Sequence, residues 1–136
     1  MLRIILGVFM FLHGLIHLLY FCQSARIFEL KPGMVWPDGS WAFSNLLGDV
    51  TTRRLACIFL VMAAFGFIAG GAGILLNKPW WRPITASVAV FSAMIYILFW
   101  DGGMHNLDGK GVFAILINFA ILAIVIMEMP FLNLKV

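Results

Sequence analysis

The stretch that decides the fold is Leu55–Leu76, which reads LACIFLVMAAFGFIAGGAGILL and contains no charged residue. About 20 predominantly apolar residues are enough for a helix to cross the hydrocarbon core of a bilayer. Because lipid offers no hydrogen bonds to the backbone, the N–H and C=O groups of such a span must be satisfied within it. The stretch therefore predicts a transmembrane helix.

The rest of the chain has the same character. Of its 136 residues, 63% are hydrophobic and 11% are charged, and the mean hydropathy is +1.04. A soluble chain has about 45–50% apolar and about 25% charged residues, and so small a globule could not bury this much apolar surface. We predict an all-α, integral membrane, antiparallel four-helix bundle. It forms a single domain over residues 1–136, with helices over about 4–24, 54–76, 83–100 and 111–128.

The connections between these helices are unequal. The segment 25–53 is the only long one and contains the turn signals Pro32-Gly33 and Pro37-Asp38-Gly39. We expect it to lie at the membrane interface, with a short interfacial helix within residues 40–50. The N-terminus is similar to a signal peptide, but histidines interrupt its apolar run and Gln23-Ser24 does not complete a small-residue cleavage site. We expect a mature first helix there.

Four spans place both termini on one side of the membrane. We call this side A; it carries Arg3, Lys78, Arg82 and Lys135, and the opposite side B carries Arg26, Lys31, Arg53, Arg54 and Lys110. The total count does not decide the orientation. The short loops place more cations on side A, and side B holds five of the six acidic residues. We therefore predict that both termini face the cytoplasm. Because the cations are dispersed, the net charge of +3 indicates lipid headgroups, and not nucleic acid, as partners.

Small residues in the second helix indicate how the helices associate. Gly66, Gly70 and Gly73 recur at helical spacing, and such stripes let two helix backbones approach closely. The stripe can pack within the chain, or it can join subunits of a homo-oligomer or of a larger membrane complex.

Polar residues inside the spans are the candidates for a site, since ionisable groups in a membrane are costly and often functional. His13, His17, Tyr20 and Ser24 form one polar stripe on the first helix, because they recur at helical spacing. Counting along the helices places Asn118 and the pair Ser92 and Tyr96 at the depth of His17. We expect these side chains to line a cavity that opens to side B, with Asp101, His105 and Asp108 at its mouth. The candidate ligand-binding residues are His13, His17, Tyr20, Tyr96, Asp101, His105 and Asn118.

The polar stripe has several interpretations. It can be interhelical packing through hydrogen bonds, a ligand or proton-handling site, or a metal or haem site. The spacing His13-x-x-x-His17 places both imidazoles on one helix face but lacks the glutamate of the zinc-protease motif. We predict no metal site, no cofactor and no catalytic residue. Cys22 and Cys57 both lie near side B, so a disulfide is geometrically conceivable, although free cysteines are usually small buried apolar groups.

Several segments, taken in order, resemble a family of small four-helix membrane proteins of bacteria and archaea and, more distantly, the DoxX-like proteins. They are His13-Gly-Leu-Ile-His17-Leu, Leu46-Leu-Gly-Asp49, Ala69-Gly-Gly-Ala-Gly-Ile-Leu-Leu76, Trp80-Trp-Arg-Pro83, Phe99-Trp-Asp-Gly102 and Lys110-Gly through Asn118. The resemblance implies the four-helix architecture and a prokaryotic cytoplasmic (inner) membrane. It implies no activity.

Four functions are compatible with this pattern, and an enzyme is the less expected class. The first is a small membrane protein that binds a lipid, a quinone or another apolar molecule within the bundle. The second is a structural subunit that packs against a larger complex. The third is a membrane redox protein using His13 and His17. The fourth, a transporter, would need an oligomer, since four helices are few and no broken-helix pattern is present.

Overall fold

The computed structural model describes residues 1–131 and the side chains of residues 1–127, so Lys135, one of the side A cations, lies outside the described residues. The backbone of this part forms four α-helices and one short 3₁₀ turn at Leu107–Lys110, with no β-strand. The helices are α1 (Leu2–Ser24), α2 (Ser44–Leu75), α3 (Trp81–Leu98) and α4 (Val112–Phe131).

The helices have the length and the surface of a membrane bundle. α1, α2 and α3 are each long and apolar enough to cross a membrane, with 23, 32 and 18 residues. α4 has 20 residues. Each helix packs against the next along the chain. The contacts join the start of one helix to the end of its neighbour, as Gly7 with Leu75 and Trp81 with Gly73, so successive helices run in opposite directions. Large apolar side chains such as Leu12, Phe65 and Phe119 are exposed on the outside, where lipid would cover them. The predicted all-α membrane bundle is confirmed.

The second helix begins earlier than the sequence predicts. It starts at Ser44, not near residue 54, and Gly48 interrupts it with a φ of 74° and a ψ of 159°. Only glycine adopts a positive φ without strain, so the continuous helix runs from Asp49. The polar residues Thr51–Arg54 are helical although they precede the apolar stretch, so hydropathy places the start of the helix too late. The short helix expected within residues 40–50 corresponds to the helical turn Ser44–Leu47, which precedes the break at Gly48.

The glycines of α2 let it approach both neighbouring helices. A methyl group added at Gly66 would lie 2.6 Å from Val88 Cγ2, and one at Gly70 would lie 2.5 Å from Thr85 Oγ1, both on α3. On the other face, a methyl group at Gly71 would lie 2.9 Å from the carbonyl oxygen of Gly7 on α1. Such close backbone packing is what holds helices together in lipid.

The segment between α1 and α2 folds over the side B end of the bundle. Buried Gln23 fixes its first half, donating from Nε2 to the Met34 carbonyl at 2.7 Å and accepting from the Leu30 amide at 2.9 Å. Ser40 Oγ and Trp41 Nε1 fix its second half by donating, each at 2.8 Å, to carbonyls in the last turn of α3. The predicted interfacial loop is therefore a packed cap.

Candidate functional site

A buried polar layer lies in the middle of the bundle. His13 and His17 of α1, Ser92 of α3 and Asn118 of α4 are all at most 1% exposed. His13 Nε2 lies 3.0 Å from Asn118 Oδ1, His17 Nε2 lies 2.6 Å from Ser92 Oγ, and Asn118 Nδ2 lies 2.7 Å from the same Ser92 oxygen. The depths counted along the sequence therefore brought the correct partners together.

The hydrogen bonds of this layer form a circuit that joins His13, His17, Ser92 and Asn118. Donor and acceptor can be assigned to each of these bonds in only one way. The His13 carbonyl can only accept, so His17 donates to it from Nδ1 at 2.9 Å and is left, as a neutral imidazole, with Nε2 as an acceptor. The Ser92 hydroxyl then donates to His17 Nε2 and accepts from the Asn118 amide. The Asn118 carbonyl accepts from His13 Nε2–H. Each histidine tautomer follows from its partners.

This circuit leaves little capacity for an additional ligand. Among the described residues, His13 Nδ1 is the one ring nitrogen of the layer without a hydrogen-bond partner. Phe67 packs edge-on against the same imidazole, with ring centroids 4.6 Å apart. Within the described part of the chain, no group of three His, Cys, Asp or Glu side chains is placed to hold a metal ion. Of the interpretations that the sequence leaves open, the geometry favours interhelical packing.

Aromatic side chains separate the polar layer from side B. Trp36, from the cap, is 4% exposed and packs against Tyr20 and Tyr96 with ring centroids 5.4 and 5.6 Å apart. Tyr96 in turn lies 5.9 Å from the His17 ring. In the region where the sequence predicts a cavity, His17 thus contacts Ser92 and Tyr96 directly, and Ser92 contacts Asn118.

Two pockets lie at the side B end instead. The side B pocket, of about 240 Å³, is formed by the cap and the α3–α4 connection, and its polar side chains include Asp101 and His105, as the sequence predicts for a mouth. It is lined by Lys31, Pro32, Gly33, Met34, Val35, Trp36, Asp38, Asp101, His105, Asn106, Gly109 and Lys110. Neither His17 nor Asn118 lines it. Of the seven candidates, His13, His17 and Asn118 lie in the polar layer, Asp101 and His105 line the side B pocket, and Tyr20 and Tyr96 pack against Trp36 between the two.

Ion pairs surround the side B pocket. Lys110 Nζ lies 2.8 Å from Asp101 Oδ2, and Lys31 pairs with Asp108 at the rim. Partial burial raises the pKa of Asp101, but the hydrogen bonds from Lys110 and the Gly103 amide outweigh it and hold the pKa below its usual value. The hydrogen bond from Lys31 lowers the pKa of Asp108. Both carboxylates are therefore charged at neutral pH.

The wall of the side B pocket contains two polar atoms without partners. Asp38 Oδ2 binds both Arg26 and Arg53, at 2.7 and 2.8 Å. Its other oxygen, Oδ1, is buried and has no hydrogen-bond partner among the described residues, and the same holds for Trp36 Nε1. One residue with an unpaired acceptor and one with an unpaired donor thus line the same pocket.

A lateral pocket of about 290 Å³ opens between α3 and α4 toward the outside of the bundle. Its lining is apolar apart from Tyr96 and Lys110: Tyr96, Ile97, Trp100, Met104, Leu107, Lys110, Val112 and Ile115. Tyr96 is fully buried, and its hydroxyl has no partner within residues 1–131. The ring lies flat against Gly111, where an added methyl group would be 2.1 Å from Tyr96 Cδ1.

Sequence reasoning missed Trp36 and Lys110, which line these pockets. Trp36 stands in a turn-rich segment without periodicity, so only its size hinted at burial. Lys110 follows a turn, and its place in the sequence indicates the orientation of the chain and not a pocket. Comparisons with protein-family models, curated proteins and solved structures found no match to this chain. The resemblance to small prokaryotic four-helix proteins therefore stays a prediction.

Proposed function

We propose that this protein binds one apolar molecule that carries a hydrogen-bond acceptor, such as a lipid or a quinone, in the lateral pocket between α3 and α4. The observation that carries the proposal is the hydroxyl of Tyr96, which is buried without a partner beside an apolar pocket. A buried unsatisfied polar group costs about 1–3 kcal/mol. A carbonyl or ester oxygen that accepts from Tyr96 would recover part of that free energy.

The position of the pocket supports a ligand that comes from the bilayer. Ile97 and Met104, on its rim, are 46% and 74% exposed on the outside of the bundle. An apolar lining with few polar groups is typical of small-molecule sites. Membrane lipids are therefore both the surroundings of this protein and its proposed ligands.

The alternatives have less support. A redox protein that uses His13 and His17 would need ring nitrogens that are free to bind a metal or cofactor. The hydrogen-bond circuit already uses three of their four ring nitrogens. Association with a homo-oligomer or a larger complex would use the glycine stripe of α2. Gly70 and Gly73 lie against α3 and the turn before it, which leaves Gly66, beside a pocket of about 410 Å³, as the open part of the stripe. We therefore place the function at the side B end.

The test is binding of a neutral probe, decyl-benzoquinone, to the protein in dodecyl maltoside, measured by native mass spectrometry. Ile115→Trp fills the lateral pocket and is expected to weaken binding at least about tenfold, while Leu116→Trp, on the exposed neighbouring position, leaves it unchanged. Tyr96→Phe is expected to weaken binding about fivefold, which corresponds to one hydrogen bond. Equal binding by the parent and Ile115→Trp would refute the site.

We further propose that the protein lies in a prokaryotic cytoplasmic membrane with both termini inside. The short loop at Lys78 and Arg82 carries two cations, which is typical of a cytoplasmic loop. Cysteines introduced at Lys78 and at His105 test the orientation in intact cells. A membrane-impermeant thiol reagent is expected to label the second and not the first, in a background in which Cys22 and Cys57 are replaced by serine. The opposite labelling would reverse the orientation.

A further inference from the structure

The side B pocket and the lateral pocket share a wall. Lys110 lines both of them. Elsewhere along the α3–α4 connection the residues alternate: Asp101 and His105 face the first pocket, and Trp100 and Met104 face the second. Each volume alone lies below the range of about 300–1,000 Å³ that is usual for small-molecule sites, and the two together lie within it.

The two pockets differ in chemistry in the way that the two ends of a lipid differ. The lateral pocket is apolar and opens toward the acyl chains of the bilayer. The side B pocket lies among the ion pairs beyond the helix ends, at the level of the headgroups. Its charged lining is balanced, since Lys31 and Lys110 stand against Asp38 and Asp101. A balanced lining favours a ligand without net charge.

The unpaired atoms define the headgroup more closely. Trp36 Nε1–H is a donor without an acceptor, which suits a phosphate oxygen. Asp38 Oδ1 is a carboxylate oxygen without a donor, which suits an ammonium N–H. A headgroup that pairs a phosphate with a primary ammonium satisfies both, whereas a trimethylated ammonium has no N–H to donate.

We propose that the two pockets form one site for a phospholipid with a zwitterionic headgroup that carries N–H donors, with the headgroup in the side B pocket and one acyl chain in the lateral pocket. The proposal rests on the proposed function above and names its ligand class. Both unpaired atoms are shielded from solvent, so a neighbouring side chain must move to admit the headgroup. Lys110, which lines both pockets, can do so without a change of the backbone, because its stem is flexible.

The experiment measures lipid binding by native mass spectrometry on the full chain in dodecyl maltoside. The probes share two oleoyl chains and differ in the headgroup: phosphatidylethanolamine, its mono-, di- and trimethylated forms, phosphatidylglycerol, and diacylglycerol. We expect the affinity to fall with methylation, to about one tenth for the trimethylated form, because a charge-assisted hydrogen bond is lost. Phosphatidylglycerol is expected to bind more weakly than phosphatidylethanolamine, because its headgroup has a net negative charge that the lining of the side B pocket does not compensate.

Matched variants test which side chains cause the headgroup preference. Asp38→Asn keeps the shape of the side chain and is expected to reduce the preference for ethanolamine over choline to less than about twofold. Asp49→Asn, a side B aspartate that accepts from the Gly39 amide at 3.0 Å and lines neither pocket, is expected to keep it. Trp36→Phe removes the indole N–H together with part of the ring and is expected to weaken all the phospholipids equally.

The outcomes separate the two proposals. If every headgroup binds equally and Ile115→Trp abolishes binding, the headgroup assignment is wrong and the lateral pocket stands. If Ile115→Trp leaves the binding of every probe unchanged, both proposals fail. The methylation series needs no variant, so it decides the headgroup assignment even where Asp38→Asn does not fold.

Discussion

The middle of this bundle and its side B end treat buried polar groups in opposite ways. In the middle, His13, His17, Ser92 and Asn118 satisfy one another in a circuit that uses all but one of their hydrogen-bonding side-chain atoms. At the side B end, Tyr96, Trp36 and Asp38 each keep a buried polar atom without a partner among the described residues. The first region has the chemistry of a structural element, and the second has the chemistry of a site that a ligand completes.

Polarity inside a membrane therefore does not by itself mark a site. Ionisable residues in a span are a functional hypothesis by default, and His13 and His17 attract attention first. Their hydrogen bonds are already made within the chain, however. What distinguishes a binding site is polar capacity that the fold leaves unused next to a pocket.

The largest expected effect comes from the contact that shapes the side B end. Gly111 has a φ of +84°, and an added methyl group would lie 2.1 Å from Tyr96 Cδ1. Gly111→Ala should therefore destabilise the protein by about 2–4 kcal/mol, through backbone strain and overpacking. Gly109→Ala is the matched control, because its nearest contact would be Met34 Cγ at 4.0 Å. Urea unfolding in detergent measures both, and an equal effect of the two would contradict the packing of Tyr96 on Gly111.

The next effect tests the circuit. Asn118→Leu leaves a His13 donor and a Ser92 acceptor unpaired, which should lower the free energy of unfolding by about 1–3 kcal/mol. Ile117→Leu introduces the same residue one position earlier and should change it by less than about 0.5 kcal/mol. Binding of decyl-benzoquinone by the folded fraction of Asn118→Leu should equal that of the parent. A variant as stable as the parent would mean that the circuit does not hold the bundle.

The extent to which the sequence predicts these two regions follows from their geometry. The polar layer is built on helices, whose fixed rise and period let His17, Ser92 and Asn118 be matched in depth by counting residues. The side B end is built by the segment 25–43, which has no period to count. The burial of Trp36 depends on hydrogen bonds that Gln23 and Ser40 make to distant backbone groups. Hydropathy also misplaced the start of α2, because Thr51–Arg54 are polar but helical.

Smaller effects are expected when one hydroxyl oxygen is removed from each region, that of Ser92 in the middle and that of Tyr96 at the side B end. Ser92→Ala removes the donor to His17 and the acceptor of Asn118, so it should cost about 1 kcal/mol of stability. Ser87→Ala, on the exposed face of the same helix, is the matched control and should cost less than about 0.5 kcal/mol. Thermal unfolding in one detergent measures both variants. Equal unfolding midpoints for Ser92→Ala and Ser87→Ala would show that the hydrogen bonds of Ser92 do not stabilise the protein.

Tyr96→Phe should give the opposite result at the side B end. Its hydroxyl has no partner to lose within the described part of the chain, so we expect the free energy of unfolding to stay within about 0.5 kcal/mol of the parent or to rise. The same variant should bind the quinone probe more weakly, so stability and binding separate at this residue. A clear loss of stability would mean that the hydroxyl is satisfied within the fold and is not held for a ligand.

The smallest effect is a pH dependence at the wall between the pockets. Lys110 and the Gly103 amide hold the pKa of Asp101 below its usual value, against the opposing effect of burial. Because the folded pKa is below the unfolded value of about 3.9, the carboxylate stabilises the protein above that pH, and this contribution is lost as the pH falls through the folded pKa. For a partly exposed ion pair it amounts to about 0.2–1 kcal/mol. The stability difference between the parent and Asp101→Asn should therefore be constant from about pH 5 to 8 and shrink below about pH 4. A difference that persists unchanged in acid would show that the charge of Asp101, and therefore its ion pair with Lys110, does not contribute to stability.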